Sequence, residues 1–376
     1  MGLTSNTVLL LSVLFALVLF VGTVWSWPRL SRRTWLAVGG RVGLLLSTQL
    51  ALFVSVGLLA NQAFGFYASW ADLFGKETDV GVVVDHTAAN GASGAQLQVV
   101  DTRHVDKGGV GRPRFGGQIQ KVVLSGRTTH IATPAYVYLP PEYFAPEYRT
   151  RTFPAAVVLT GYPGTAEALV DKLHYPRTAR QLAKDGRMQP MILVMLRPTV
   201  APPRDTECVD IPGGPQTESF FAKDLPEAVT AHYRVGRKPG NWGVIGDSTG
   251  GYCALKLAMH HPDVFAAGAG LSAYYKAPTD PTTGDLFHGN RTLRDEADLR
   301  WFMKNRSAPD TSLLVTSSKV GESNYKATLR LIDQVKATNR TRISSIILES
   351  GGHNFNTWRR EIPPTLEWIS GRLGDH

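Results

Sequence analysis

The residues best suited to chemistry are Gly246-Asp247-Ser248-Thr249-Gly250-Gly251, which follow the apolar run NWGVI and open the helix-like stretch STGGYCALKLAMHHP. Gly-x-Ser-x-Gly between a strand and a helix is the pattern of a nucleophile elbow. The turn is too tight for a Cβ at Gly246 or Gly250, and it pushes the serine hydroxyl into a cleft beside the positive end of the helix dipole. Ser248 is therefore the expected nucleophile. A serine hydroxyl needs a base, which in this chain order comes last. The run ISSIILES ends in Gly351-Gly352-His353-Asn354-Phe355, which puts His353 in a short loop at the carboxyl end of a strand. The remaining histidines, among them His174, His232, His260, His261 and His288, fall in or near helical or linker sequence and read as surface or capping groups.

A third group must orient the imidazole and stabilise its charged form, and its place is between the serine and the histidine. The strand-like run TSLLVTSS is followed by Lys319-Val320-Gly321-Glu322, so Glu322 emerges at the same sheet edge as Ser248 and His353. Asp310 precedes that run and belongs at the opposite edge, a strand length of roughly 17 Å away. Glu322 is the expected acid. An oxyanion needs two backbone N–H groups, each worth a few kcal/mol in the transition state. Thr249 supplies one by following the nucleophile. The other comes from Gly161-Tyr162-Pro163-Gly164, where Pro163 has no N–H; Tyr162 is expected, with Gly161 as the alternative.

These residues need a sheet to hold them. From Gly117 onward, strand-like runs (QIQKVVLSG, PAYVYLPPEYF, FPAAVVLTG, MILVMLRP, NWGVIGD, TSLLVTSS, ISSIILES) alternate with helical stretches at 165–186, 217–233, 248–262 and 323–338. Continuous apolar runs of four to six residues are what a parallel sheet covered on both faces requires. The expected fold is α/β, an α/β-hydrolase fold with a mostly parallel central sheet and helices on both faces. The first two runs read as an antiparallel pair at its edge.

With these pieces in place the chain resembles the esterase family of α/β-hydrolases that includes esterase D, feruloyl esterases and the cell-wall mycolyltransferases. The resemblance covers roughly residues 117 to 372. It is carried by Pro-Ala-Tyr-Val-Tyr-Leu-Pro-Pro-Glu-Tyr-Phe, by Gly161-Tyr162-Pro163-Gly164, by Gly246 to Tyr252 and by Gly351-Gly352-His353-Asn354. In the mycolyltransferases the acid is a glutamate in the loop after the corresponding strand, which implies Glu322, and the histidine opens a tract matched here by His353, Phe355 and Trp358. Those enzymes carry Asp-Gly-Leu-Arg at the oxyanion loop, where the acid and arginine help bind trehalose; this chain has Thr160, Gly161, Tyr162 and Pro163 instead. Asp247, beside the nucleophile, is also unusual and would set a negative charge there.

The only two cysteines are Cys208, in the long loop after MILVMLRP, and Cys253, five residues past the nucleophile. In an oxidising compartment they are expected to pair and pin that loop beside the cleft. Asp205, Glu207 and Asp210 in the same loop read as a solvated acidic cluster, with contact to a substrate cation as the alternative.

Two apolar stretches precede all this. Residues 7–27 contain no ionisable group and 42–67 form a second run, each long enough for a hydrocarbon core of roughly 30 Å. Arg29, Arg32, Arg33 and Arg41 lie between them, and MGLTSN lacks the positive charge of a signal peptide's start. Positive charge stays inside, so the reading is a multi-pass cell-membrane protein with its catalytic domain on the extracytoplasmic face. The organisation expected is 1–70 membrane anchor, 71–115 linker or irregular segment, and 116–376 catalytic domain.

The net charge is +9, but the basic residues are scattered and no nucleic-acid-binding motif is present, so nucleic acid is not an expected partner. No H-E-x-x-H or paired C-x-x-C spacing occurs, and neither metal nor cofactor is implied. The expected partner is an ester or acyl substrate, in an envelope lipid or glycan if the acyl group is transferred rather than hydrolysed. The reading is a serine esterase, with acyltransferase as its alternative and a catalytically silent binding module as the non-enzymatic one.

Overall fold

The protein is described by a computed structural model covering residues 5–31, 34–64, 96–105, 116–202 and 204–374. It divides into two units, Met1–Thr78 and Asp79–His376.

In the first unit, helices α1 (Asn6–Ser26) and α2 (Trp35–Phe64) pack against each other. Both are long and apolar enough to cross a membrane, over Asn6–Ser26 and Trp35–Asn61. Large side chains such as Phe15, Phe20, Leu46 and Phe53 face outward, while Ala16, Thr23, Thr48 and Ser55 are buried. Small residues let helix backbones approach where there is no hydrophobic drive between them. Thr23 Oγ1 and Thr48 Oγ1 meet at 3.0 Å across this contact. The second helix starts seven residues earlier than the apolar run at 42 and includes Arg41. Arg41 lies near the Trp27 ring. Residues 65–67 of the expected span lie outside the described residues.

The second unit is built on a nine-stranded sheet. Its strands are β1 (Gln96–His104), β2 (Gln118–Ser125), β3 (Ala132–Leu139), β4 (Ala155–Leu159), β5 (Ile192–Leu196), β6 (Trp242–Asp247), β7 (Ala267–Leu271), β8 (Ser312–Val320) and β9 (Arg342–Ser350). Their order is β1-β2-β3-β5-β4-β6-β7-β8-β9. The pairs from β5 to β9 are parallel; β1, β2 and β3 join antiparallel. Helices α3 (Ala166–Asp171), α4 (Tyr175–Lys184), α5 (Leu225–His232), α6 (Thr249–His260), α7 (Arg291–Glu296), α8 (Leu299–Asn305), α9 (Tyr325–Lys336) and α10 (Phe355–Ser370) cover it.

Alternation along the strands feeds two cores. Ala155, Val157 and Leu159 join Leu255 of α6 and Leu331 of α9 on one face. Ala156 and Val158 join Leu182 of α4 and Ile362 of α10 on the other. This is the α/β-hydrolase architecture, with every strand end that matters for chemistry on one edge.

Three elements differ from expectation. Part of the 71–115 linker is strand β1, whose register runs from Gln96 opposite Ser125 to His104 opposite Gln118, so β1 and not β2 is the outer strand. Its polar residues and a register shift between Val99 and Asp101 hide it from a periodicity reading. Strand β7, AGAGL, also escapes notice, because helix α6 packs so close that a Cβ on Gly268 would lie 2.6 Å from the Ala254 carbonyl. Finally, the helical stretch 165–186 is two helices, broken at His174 with φ 56°.

Candidate active site

β6 ends at Asp247 and α6 begins at Thr249, so the chain reverses within one residue. Ser248 takes φ 54° and ψ −119°, a conformation costing of order 1–3 kcal/mol for a non-glycine residue. Its amide donates to Leu271 O of β7 at 2.9 Å, which holds the turn in place. A Cβ on Gly246 would lie 2.1 Å from the Gly250 carbonyl oxygen, so the elbow cannot form with any larger residue there.

His353 Nε2 lies 2.8 Å from Ser248 Oγ. The imidazole is half exposed and meets Trp358 edge-on at 5.2 Å between ring centres. Its neighbour Asn354 caps α10, its side chain accepting from the amides of Asn356 and Thr357 at 3.0 and 3.2 Å. That cap fixes where the loop from β9 delivers the histidine. On its other side, His353 Nδ1 faces Glu322 Oε1 at 3.9 Å, an electrostatic contact longer than a hydrogen bond. A proton on Nδ1, toward the carboxylate, leaves Nε2 to accept from Ser248.

Glu322 lies two residues beyond β8, with its side chain only 2% exposed. Ser272, just past β7, donates to Glu322 Oε1 at 2.7 Å. Trp358 Nε1 in turn donates to Ser272 Oγ at 2.9 Å. The Ser272 amide donates to Thr316 Oγ1 at 2.9 Å, and Thr316 donates to Glu361 Oε2 at 2.8 Å. Glu361 is wholly buried, and burial pushes its carboxyl up to about 8. Asp310, the rival acid, precedes β8 and pairs with Arg342 at 3.2 Å, exposed to solvent.

Thr249 is buried at the N-terminus of α6. In the loop after β4, the Gly161 amide donates to Asp247 Oδ2 at 2.8 Å. That bond commits the Gly161 amide to Asp247. Asp247 is itself buried, and burial pushes its carboxyl up to about 7 against the Gly161 hydrogen bond. Its carboxyl braces the loop from behind the nucleophile.

Cys208 and Cys253 form a disulfide with Cα atoms 5.7 Å apart. Beside it the buried Lys256 donates to Cys208 O and to Glu218 Oε2, both at 2.6 Å. Glu218 also meets His260 Nδ1 at 2.8 Å and His261 Nε2 at 3.0 Å. The acidic loop is not solvated as its composition suggests. Asp205 and Glu207 are 2% and 1% exposed, and Asp210 accepts from the Ser219 amide and hydroxyl.

Sequence reasoning missed Ser272 and the indole N–H of Trp358. The one signal for Ser272 was its position directly after a strand that is itself hard to see.

A serine at a strained strand-to-helix turn, with a histidine and an acid from later strand ends, on this sheet topology, defines a serine hydrolase of the α/β-hydrolase class. The family model described as Putative esterase matches residues 127–369, and the chain belongs to that family. It is an enzyme of the serine carboxylic-ester hydrolase type. An uncharacterised protein of Corynebacterium glutamicum is 23% identical over 351 residues, covering 89% of this chain and 78% of the relative. Among solved structures, a ferulic acid esterase superposes with TM-score 0.59 at 16% identity, covering 69% of this chain and 99% of that one. An S-formylglutathione hydrolase of Agrobacterium tumefaciens gives 0.57 at 16% identity, covering 74% and 100%. At such identity the structures speak to the fold.

Proposed function

We propose that the protein is a membrane-anchored serine esterase that forms an acyl-enzyme at Ser248. The observation that carries this is the 2.8 Å contact of His353 Nε2 with Ser248 Oγ at a strained elbow. His353 takes the serine proton as the hydroxyl adds to the ester carbonyl, and Glu322 stabilises the imidazolium that results. The amides of Thr249 and Tyr162 receive the oxyanion. Collapse expels the alcohol, protonated by His353. Water then attacks the acyl-enzyme with the same base and restores Ser248. An envelope hydroxyl in place of water would make the enzyme an acyltransferase.

The placement proposed is extracytoplasmic. The arginines at 29, 32, 33 and 41 between the two apolar helices support an inward-facing connection, and a disulfide suits an oxidising compartment. The anchor is assigned to 1–70 and the catalytic domain to 116–376, extended N-terminally by β1.

The test is to mix the full-length chain in detergent with a p-nitrophenyl ester, quench early and map the acyl mass. Acyl on the peptide holding Ser248, discharged by water, supports hydrolysis; discharge only with added alcohol supports transfer. Acyl on another residue refutes the mechanism.

A further inference from the structure

The turn that carries Glu322 is short, running from Gly321 to Asn324 between β8 and α9, and it is fastened on two sides. One side meets the segment that leaves β7. Ser272 donates to Glu322 Oε1 at 2.7 Å, Asn324 Nδ2 donates to Ala273 O at 2.9 Å, and Tyr275 Oη lies 2.7 Å from Thr328 Oγ1. These contacts run in step along both chains, 272 with 322, 273 with 324 and 275 with 328. They make a seam between the exit of β7 and the start of α9. Ser272 takes φ 50°, uncommon for a non-glycine residue, and such a backbone persists where its surroundings over-determine it.

The other side of the turn meets the loop that presents His353. The Gly351 amide donates to Val320 O at 3.0 Å. Gly321 has φ 99°, and a Cβ there would lie 2.2 Å from the Gly351 carbonyl oxygen. The stretches that present the acid and the base therefore touch backbone to backbone, and a shift of the Glu322 turn changes its distance from His353.

Asn324 is the residue where this frame crosses. A side-chain amide has one donor group and one acceptor, and both are used. Besides the bond to Ala273, its Oδ1 accepts from Ser317 Oγ of β8 at 2.6 Å, and Ser317 is fully buried. Its own carbonyl accepts from the Thr328 amide at 2.9 Å and the Thr328 hydroxyl at 3.1 Å, in the first turn of α9. One half-buried side chain thus ties β8 to the exit of β7, two residues beyond the acid.

We propose that Asn324 is a positioning residue for Glu322, its bonds to Ser317 and Ala273 holding the acid's turn so that the carboxylate faces His353 Nδ1. The proposal rests on the Ser248 reading above. Ser272 fixes the carboxylate itself, and Asn324 fixes the backbone from which the carboxylate projects. Without Asn324 the turn is held by Ser272 and the Gly351 contact alone, and the carboxylate spends less time opposite the imidazole.

The experiment is steady-state turnover of a p-nitrophenyl ester by the full-length chain in detergent, with thermal unfolding recorded for every variant. Asn324→Ala removes both side-chain bonds and is expected to lower kcat about tenfold with KM nearly unchanged, the size of a lost hydrogen bond expressed in the barrier. In the Glu322→Gln background the same change is expected to cost less than about twofold more, because a residue that acts through the acid has nothing left to position. Ser317→Ala is milder, leaving Asn324 its bond to Ala273. It is expected to lower kcat about threefold and to lose that effect in Glu322→Gln, and it carries the test if Asn324→Ala does not fold. A folded Asn324→Ala chain with wild-type kcat, a rise in KM in place of the fall in kcat, or a loss that persists undiminished in Glu322→Gln overturns the proposal and leaves Ser248 as nucleophile. Turnover that survives in Ser248→Ala overturns the Ser248 reading itself.

Discussion

Ser272 donates its hydroxyl proton to Glu322 at 2.7 Å, tying the acid that faces His353 to the strand beside the nucleophile. The indole of Trp358, which packs against His353, closes the arrangement from α10. One serine therefore links the acid, the histidine's support and the sheet. Removing its hydroxyl frees the Glu322 carboxylate to rotate away from Nδ1. Ser272→Ala is expected to lower kcat about tenfold, or about 1.4 kcal/mol of barrier, with KM nearly unchanged. Steady-state kinetics on a chromogenic ester check this; an equal rise in KM with kcat intact would assign Ser272 to binding.

The two candidate acids separate cleanly by mutation. Glu322→Gln leaves a neutral amide facing the imidazole and is expected to lower kcat by roughly 10³ to 10⁴, as when a triad acid is neutralised. Asp310→Asn breaks only a solvent-exposed pair with Arg342 and is expected to stay within about twofold, since such pairs contribute little. The reverse ranking would move the acid to the other edge of the sheet.

Much of this site is legible in the sequence because its parts sit on strong local signals. The elbow needs glycines at 246 and 250, and His353 follows a long apolar run. Glu322 and Asp310 are distinguished by strand direction alone. What escaped notice depends on contacts distant in sequence. Ser272 follows a strand of alanine and glycine, chosen for the closeness of α6 and not for apolar bulk. Asp205 and Glu207 read as surface residues because charge in a loop is ordinarily solvated; here the loop is drawn inward by Cys208 and Lys256. Strand β1 is hard to see because six of its nine residues are polar.

Lys256 is a buried cation whose charge is answered by Glu218. Burial alone would raise the Glu218 carboxyl, but Lys256 and the two histidines outweigh it and hold it well below its ordinary value. Lys256→Met leaves that buried carboxylate only its two histidine partners and is expected to cost up to about 3–5 kcal/mol in urea unfolding. Because the folded value is depressed, the stability Glu218 contributes is complete above 4.5 and lost as pH falls below it. In Lys256→Met the acid sensitivity from this group should shrink; unchanged stability and acid profile would show that the pair carries no weight.

Glu361 works in the opposite sense. Burial raises its carboxyl from 4.5 to about 8, so the folded chain retains a proton that the unfolded chain releases. Its contribution is present below 4.5 and declines as pH rises toward 8. Glu361→Gln removes this term and is expected to flatten the loss of Tm between pH 5 and 8, which differential scanning calorimetry reads; an unchanged loss would mean that Glu361 is ionised in the folded chain.

The acyl-enzyme at Ser248 is tested most directly by p-nitrophenyl ester turnover, across acyl lengths, of the full-length wild type, Ser248→Ala and His353→Ala in the same detergent. Turnover by the wild type and loss of at least about 10³-fold in both folded variants is the expected result. Ester turnover that survives in Ser248→Ala would contradict it.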